Sequence, residues 1–444
     1  MKTHPFLPCL RTALAAVLLA ALSLPALLGR ALAAPFSNPI VEASPRTGSA
    51  DPSVVFYRGH YYYCRSIGDG GIGVARARRL QDIGAAQMTT VFRPPAASPY
   101  SRQIWAPELQ RVRGRWYIYF AASDGVNANH RMYALQALTD DPRGAYEFKG
   151  RVADPSDVWA IDGAVLDLGK ALYFVWSGWP QATSGFPQVL YIAAMRNPWT
   201  IVGERHPIAA PQHAWEQAVA PLLEAPQPLR RRGRTHIFYS AGASWSDEYA
   251  LGLLTYAGGD PLRADAWIRR PLPVFAKNVA AGVFGPGHAS FVRSPDRRED
   301  WIVYHATARA GAGWAARSVR AQRFGWCRDG SPAFGSALAV DQPVEEPSGT
   351  PGPGRSASSR ATSWNTCRAA WPPDRVNGTN PRDGRLPVFR GRAGRSTTRR
   401  TTLGRGSLRP ITALNPWYRS ADIRLADVTP YAASSTGVRR CRSM

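Results

Sequence analysis

The chain has 444 residues and a formal net charge of +24, and that charge is unevenly distributed. Residues 351–444 contain 18 arginines, no lysine and only four acidic side chains, so this segment alone carries +14. The 317 residues from 34 to 350 carry only +7. This segment is therefore only mildly basic, and the positive charge belongs to the tail and says little about the substrate. We expect no nucleic-acid partner.

The first 33 residues have the pattern of a secretory signal peptide. Lys2 and Arg11 form a basic start, residues 13–28 are apolar, and Ala-Leu-Ala at residues 31–33 is a small-residue cleavage site. The apolar stretch is too short to cross a membrane comfortably and no later stretch qualifies, so we expect no membrane span. The pattern predicts a secreted protein, extracellular or periplasmic, cleaved after Ala33.

Five polar residues recur along the chain at intervals of 54 to 64 residues. In chain order they are Asp51, Glu108, Asp162, Glu224 and His288. A turn follows each one, and then comes an aromatic-rich run, such as Trp-Tyr-Ile-Tyr at residues 116–119. A repeat of this length with several short strands per unit is typical of a β-propeller. If each polar residue opens the innermost strand of its blade, all five converge on one central axis.

A further strand of each repeat is also visible. The candidates are residues 71–76, 131–137, 189–194, 249–256 and 318–324. Loops rich in Asp, Pro and Gly follow these segments, and no helical periodicity is sustained. The sequence therefore predicts an all-β fold, a five-bladed β-propeller over residues 34–346.

The repeating pattern stops near Pro343. Residues 347–354 are rich in Pro and Gly and predict a linker. Residues 355–444 form a basic, low-complexity tail to which we assign no fold. Three interpretations stay open for this tail, which are a disordered segment, a degenerate carbohydrate-binding appendage, and an out-of-frame translation of a GC-rich gene.

The cysteines are too few and too scattered for a disulfide framework or a metal cluster. Cys64 falls in the first predicted blade and Cys327 in the last, and these blades are neighbours in a closed ring. The two residues therefore form either a disulfide bridge or two separate half-buried thiols.

Four carboxylates and an imidazole around one axis suggest acid–base chemistry. Glycosidic bonds are commonly cleaved by two carboxyl groups, of which one protonates the leaving oxygen and the other activates water or attacks. The acid must keep its proton near neutral pH, which requires burial or a neighbouring negative charge. Three carboxylates around one axis can supply a base, an acid and a neighbour that raises the pKa of the acid.

Six short motifs occur in order at blade spacing. They are Ala-Asp-Pro-Ser-Val at 50–54, Trp-Ala-Pro-Glu-Leu at 105–109, Ala-Ile-Asp-Gly at 160–163, Leu-Glu-Ala-Pro at 223–226, Gly-Pro-Gly-His-Ala-Ser-Phe at 285–291 and Trp-Ile-Val-Tyr-His-Ala at 301–306. Together they resemble the motifs of glycoside hydrolase family 43, over roughly residues 38–349. The resemblance implies that Asp51 is the general base, Glu224 the general acid, and Asp162 the residue that tunes the pKa of the acid and orients it.

The acid motif departs from the family pattern, which is often Asn-Glu-Gly-Pro. Glu216 is a rival for the acid, but it does not match the phase of the repeat. The resemblance also implies that Arg317 reaches the site from the fifth blade, although a surface arginine is the alternative. Trp105 is the aromatic side chain that we expect to line a sugar pocket.

The resemblance implies an axial role for His288, as a ligand of a cation on the propeller axis, often calcium held through bridging water. A satisfied core histidine and a group near the substrate are the alternatives. Glu108 is expected to be structural or to donate or accept a hydrogen bond. No cofactor is expected to be required, and a structural calcium on the axis is the one metal that the resemblance suggests.

The implied activity is that of a secreted, inverting, exo-acting α-L-arabinofuranosidase that removes terminal arabinofuranose from plant arabinan or arabinoxylan. The segment Phe-Val-Trp-Ser-Gly-Trp at 174–179 and the His288 motif point to this group within the family. The alternative enzyme is a β-xylosidase of the same family. Outside enzymes, the alternative is a sugar-binding propeller.

Overall fold

The computed structural model describes residues 35–44, 49–68, 70–183 and 185–351. The predicted signal peptide at residues 1–33 and the predicted tail at residues 355–444 lie outside the described residues. No helix among the described residues is both long enough and apolar enough to cross a membrane.

The described residues form 22 β-strands. In chain order they are β1 (Phe36–Ser37), β2 (Ser53–Tyr57), β3 (His60–Ile67), β4 (Gly71–Ala77), β5 (Met88–Phe92), β6 (Arg102–Val112), β7 (Arg115–Ser123), β8 (Arg131–Ala137), β9 (Tyr146–Arg151), β10 (Ala160–Asp167), β11 (Leu172–Gly178), β12 (Val189–Asn197), β13 (Thr200–Ala209), β14 (Leu223–Arg231), β15 (Arg234–Ala241), β16 (Ala250–Tyr256), β17 (Trp267–Arg269), β18 (Phe284–Arg293), β19 (Asp300–Thr307), β20 (Ser318–Trp326), β21 (Pro332–Ala333) and β22 (Pro343–Val344).

Short 3₁₀ turns are the only helices in the described part of the chain. They span Leu80–Asp82, Asn127–Asn129, Ala214–Gln217, Ala264–Ala266, Val279–Ala281 and Trp314–Ala316. The prediction of an all-β fold is therefore confirmed.

Five four-stranded antiparallel sheets account for β2 to β21. Each sheet takes four consecutive strands in chain order, which makes every blade a simple meander. The prediction of five blades is confirmed, and the predicted third strands correspond to β4, β8, β12, β16 and β20.

The N-terminal segment closes the ring against the fifth blade. The Asn38 side chain donates to the Ala321 carbonyl at 3.0 Å and accepts from the Ala321 amide at 2.9 Å. The Ile40 amide donates to the Val319 carbonyl at 2.8 Å. Strand β1 pairs with β22, so the two ends of the propeller meet beside blade five.

Five apolar clusters fill the five interfaces between neighbouring blades. The second strand of each blade contributes to two of them, because alternate side chains point to opposite faces of a strand. Tyr61 and Tyr63 face blade five, whereas Tyr62 and Cys64 face blade two. A strand that is buried on both faces reads as a continuous apolar run, which explains the aromatic runs of the sequence.

Two further features concern Cys64 and the segment that follows residue 346. Cys64 is a free, fully buried thiol, so the predicted alternative of a Cys64–Cys327 bridge is wrong. Contacts with the propeller continue beyond residue 346, because Ser348 donates to Asp296 at 2.7 Å and to Glu299 at 3.0 Å. Thr350 is also buried.

Candidate active site

The recurrent polar residues lie at irregularities of the innermost strands. Glu108, Asp162, Glu224 and His288 each adjoin a register shift in the pairing of the first and second strands. A β-bulge of this kind leaves a residue unpaired and re-aims a side chain. Asp51, Asp162 and His288 also have positive φ angles of 53°, 55° and 42°. Such angles are uncommon outside glycine, and they concentrate at functional sites.

Asp51 is surrounded by cationic and imidazole groups. Arg317 donates from Nη1 to Asp51 Oδ1 at 3.2 Å. The Nδ1 atoms of His305 and His288 lie 3.1 Å and 3.4 Å from the same oxygen. Burial raises the pKa of the Asp51 carboxyl, but Arg317 and the two histidines outweigh burial and hold this pKa far below its usual range. Asp51 is therefore ionised at neutral pH, with 26% of its side chain exposed.

Asp162 and Glu224 form a buried carboxyl pair. Burial raises the pKa of both groups, and the Glu224 carboxylate further raises the pKa of Asp162. The backbone amide of Ala225 donates to Asp162 Oδ2 at 3.0 Å. This hydrogen bond favours the ionised form of Asp162.

Glu216 is occupied elsewhere. Its side chain is fully buried and accepts from the Tyr239 hydroxyl at 2.7 Å and from Arg269 at 2.5 Å. Its other oxygen accepts the backbone amides of Gln212 and His213, both at 2.8 Å. Glu216 thus holds the 3₁₀ turn Ala214–Gln217 against blade four and is not free to act as an acid.

His288 lies between two carboxylates. Its Nε2 atom is 2.9 Å from Glu108 Oε1, and its Nδ1 atom faces Asp51. Calcium prefers six to eight oxygen ligands, whereas both ring nitrogens of His288 face carboxylate oxygens of the protein. No cluster of three or more metal-ligating side chains occurs among the described residues. The arrangement therefore does not fit the predicted cation held by His288.

Three tryptophans of blades two and three take part in aromatic stacks. Trp105 is 37% exposed, and its ring stacks on the buried ring of His130 with centroids 3.8 Å apart. Trp159 and Trp179 stack on each other at 4.7 Å but are almost fully buried. Of these three tryptophans, Trp105 alone has a substantially exposed side chain, and its place in a sugar pocket stays a prediction.

A profile of the glycosyl hydrolases family 43 matches residues 36–332. The chain belongs to this family. An extracellular exo-α-(1→5)-L-arabinofuranosidase of Streptomyces avermitilis is 32% identical over 68% of the chain and 64% of the relative. The chain therefore spans less than two thirds of that relative's length. α-L-Arabinofuranosidase 43 of Humicola insolens is 32% identical over 69% of the chain and 67% of the relative.

Solved structures show the same fold. The crystal structure of an α-L-arabinofuranosidase from Lactobacillus brevis is 33% identical, with a TM-score of 0.63 over 69% of this chain and 98% of that one. A thermostable family-43 glycoside hydrolase shares only 22% identity and supports the fold alone, with a TM-score of 0.56 over 72% and 100% of the two chains.

The structure brings all five recurrent residues together. His288 contacts Asp51 and Glu108 directly, and it interacts electrostatically with Asp162 and Glu224. Arg317 donates to Asp51 and is therefore not a surface arginine without a partner. Sequence reasoning did not single out His305 or Tyr249. His305 stood within the quoted fifth-blade motif, whereas Tyr249 had no motif to mark it. The Tyr249 hydroxyl is buried beside Glu224 and favours the ionised form of that carboxyl.

Proposed function

We propose that this family 43 protein is a secreted, exo-acting α-L-arabinofuranosidase that removes terminal arabinofuranose from plant arabinan or arabinoxylan. The observation that carries the chemistry is the contrast between Asp51, whose Oδ1 lies 3.2 Å from Arg317 Nη1, and the buried carboxyls of Asp162 and Glu224, whose pKa values burial raises. A glycosidase needs both forms at the same pH. The choice of sugar is supported by the names of the relatives, because the fold alone does not settle it.

Asp51 is the proposed general base. Arg317 and His288 keep it ionised, so an oxygen lone pair is available to take a proton from water. The two contacts that the structure records from these side chains both go to Oδ1, which leaves Oδ2 as the oxygen that we assign to the water. An inverting reaction needs room for this water, so the carboxyls of Asp51 and Glu224 should lie about 6.5–9.5 Å apart in a substrate complex.

Glu224 is the proposed general acid and Asp162 its partner. The proton of the pair passes from Glu224 to the leaving glycosidic oxygen as the bond breaks. Asp162 transfers no proton to the substrate. Its proposed role is to raise the pKa of Glu224 and to fix the acid strand through the Ala225 amide.

A comparison of two aryl glycosides tests the proposal. We expect hydrolysis of 4-nitrophenyl α-L-arabinofuranoside to exceed that of 4-nitrophenyl β-D-xylopyranoside by at least about tenfold, which is about 1.4 kcal/mol in transition-state binding. NMR should show the β-anomer as the first product. The reverse preference would favour the β-xylosidase alternative, and an absence of hydrolysis with retained sugar binding would favour the non-enzymatic one. Asp51→Asn is the inactive control.

A further inference from the structure

Glu108 has no part in the catalytic roles above, although it contacts His288, which helps to keep Asp51 ionised. Glu108 and His288 are each only 3% exposed, and their Oε1 and Nε2 atoms are 2.9 Å apart. The other nitrogen of His288 lies 3.4 Å from Asp51 Oδ1. Both neighbours of the ring are carboxylate oxygens, which only accept hydrogen bonds. The Glu108 contact is a hydrogen bond and the Asp51 contact is an ion-pair distance. An imidazolium, with hydrogen on both nitrogens, is the form of the ring that matches two carboxylate neighbours.

Three blades meet in this pair. Glu108 belongs to β6 of blade two, His288 to β18 of blade five, and Asp51 precedes β2 of blade one. The backbone of His288 is fixed separately, because its amide donates to Ser240 Oγ of blade four at 2.9 Å. A buried carboxylate is costly unless it is paired, so Glu108 is not explained by packing alone.

The remaining charged groups around the ring do not replace Glu108. Asp162 and Glu224 act on the ring from blades three and four and His305 acts on it from blade five, while Arg317 contacts Asp51. Burial lowers the pKa of His288, but Asp51, Glu108 and Asp162 together raise it to about 10. Glu108 lies closer to the His288 ring than Asp51 does, at 2.9 Å against 3.4 Å, and it has no assigned part in proton transfer.

We propose that Glu108 is a positioning residue for the reaction, which fixes the charged His288 ring across the axis so that the ring orients the Asp51 carboxylate. The proposal rests on the proposed glycosidase function. The imidazolium then supplies the positive charge for which a metal cation was expected. A neutral ring has one N–H group and cannot donate to both carboxylates, so one of the two carboxylates would lose its donor whenever the ring lost its second proton.

Glu108→Gln tests this role in the full-length protein, because glutamine keeps the shape and removes the charge. We expect kcat on 4-nitrophenyl α-L-arabinofuranoside to fall by about 10- to 100-fold, as for other residues that orient a reacting group, with KM changed by less than about threefold. Glu108→Asp keeps the charge and should recover part of the lost kcat. This second variant also tests the proposal if Glu108→Gln does not fold.

Glu216→Gln is the matched control. Glu216 is also a fully buried glutamate with a cationic partner, but it contacts Arg269 in blade four. This variant should lower the thermal midpoint and leave kcat nearly unchanged. If Glu108→Gln behaved in the same way, Glu108 would be structural and the proposal would be wrong.

NMR of protein labelled with ¹⁵N-histidine gives a readout that does not depend on activity. One histidine, identified by its loss in His288→Gln, should keep two N–H groups to about pH 9 in the wild type and lose one at least about one pH unit lower in Glu108→Gln. An unchanged titration would overturn the proposal. So would stoichiometric calcium binding with loss of activity in EDTA. If the wild type hydrolysed no glycoside, the proposed function would fail, while the titration would still test the Glu108–His288 pair.

Discussion

Replacement of Arg317 by glutamine should move the acid limb of the activity profile. Arg317 Nη1 lies 3.2 Å from Asp51 Oδ1, with side-chain exposures of 16% and 26%. Charges about 4 Å apart attract by about 4 kcal/mol at an effective dielectric constant of about 20, which corresponds to about three pKa units. Water screens part of this attraction and His288 remains, so we expect the pKa of Asp51 to rise by about one to three units.

The sign of the effect follows from the role of Asp51. The general base works only when it is ionised, so a higher pKa moves the acid limb of kcat/KM towards higher pH. The assay is kcat/KM against pH for 4-nitrophenyl α-L-arabinofuranoside. Its leaving group needs little protonation, which keeps Glu224 from limiting the rate. Arg317→Lys keeps the positive charge and should shift the limb less than Arg317→Gln.

Arg231→Gln is the control for the loss of an arginine–carboxylate pair. Arg231 contacts Asp300 at 2.9 Å, at the end of β19 opposite to His305. Its replacement should lower stability and leave the acid limb in place. An acid limb within about 0.3 pH units of the wild type in Arg317→Gln would refute the reasoning, because the expected change is at least about one unit.

Four further outcomes are expected. Glu224→Gln should lose more activity on arabino-oligosaccharides than on nitrophenyl glycosides, and equal losses would contradict its role as acid. Burial raises the pKa of the Asp162–Glu224 pair, so stability falls as pH rises and the pair loses its protons, and Asp162→Asn, which removes one of the two carboxyls, should gain thermal midpoint relative to the wild type above about pH 4. The same variant should move the alkaline limb of the pH–rate profile down. Gly163→Ala should cost about 1–3 kcal/mol in chemical denaturation, because its Cβ would lie 2.2 Å from the Phe174 ring.

Removal of residues 352–444 should leave hydrolysis of a small aryl glycoside nearly unchanged. Every residue assigned to the site lies within the described part of the chain, and the family match ends at residue 332. The cut falls after Pro351 because Thr350 is buried and its hydroxyl contacts the Pro347 carbonyl. A large loss of activity would show that the removed segment supports the propeller.

The sequence by itself determined the number of blades and the phase of the site residues. Five polar residues recur at similar intervals, and each precedes a turn and an aromatic run. This regularity predicts equivalent positions for them in five equivalent blades. The aromatic runs can be recognised in the sequence because the second strand of each blade is buried on both faces. The same phase favoured Glu224 over Glu216, and the structure agrees because Glu216 is bound by Arg269 and Tyr239.

Only the tertiary structure decided how the site residues meet. Arg317 and Asp51 are 266 positions apart, and Glu108 and His288 are 180 apart. Whether such side chains touch depends on the bulges of the innermost strands and on the packing between blades. For the same reason the sequence left open the state of Cys64 and the atoms that surround His288. Local patterns repeat along a chain, but a contact at the axis exists only once all five blades have closed around it.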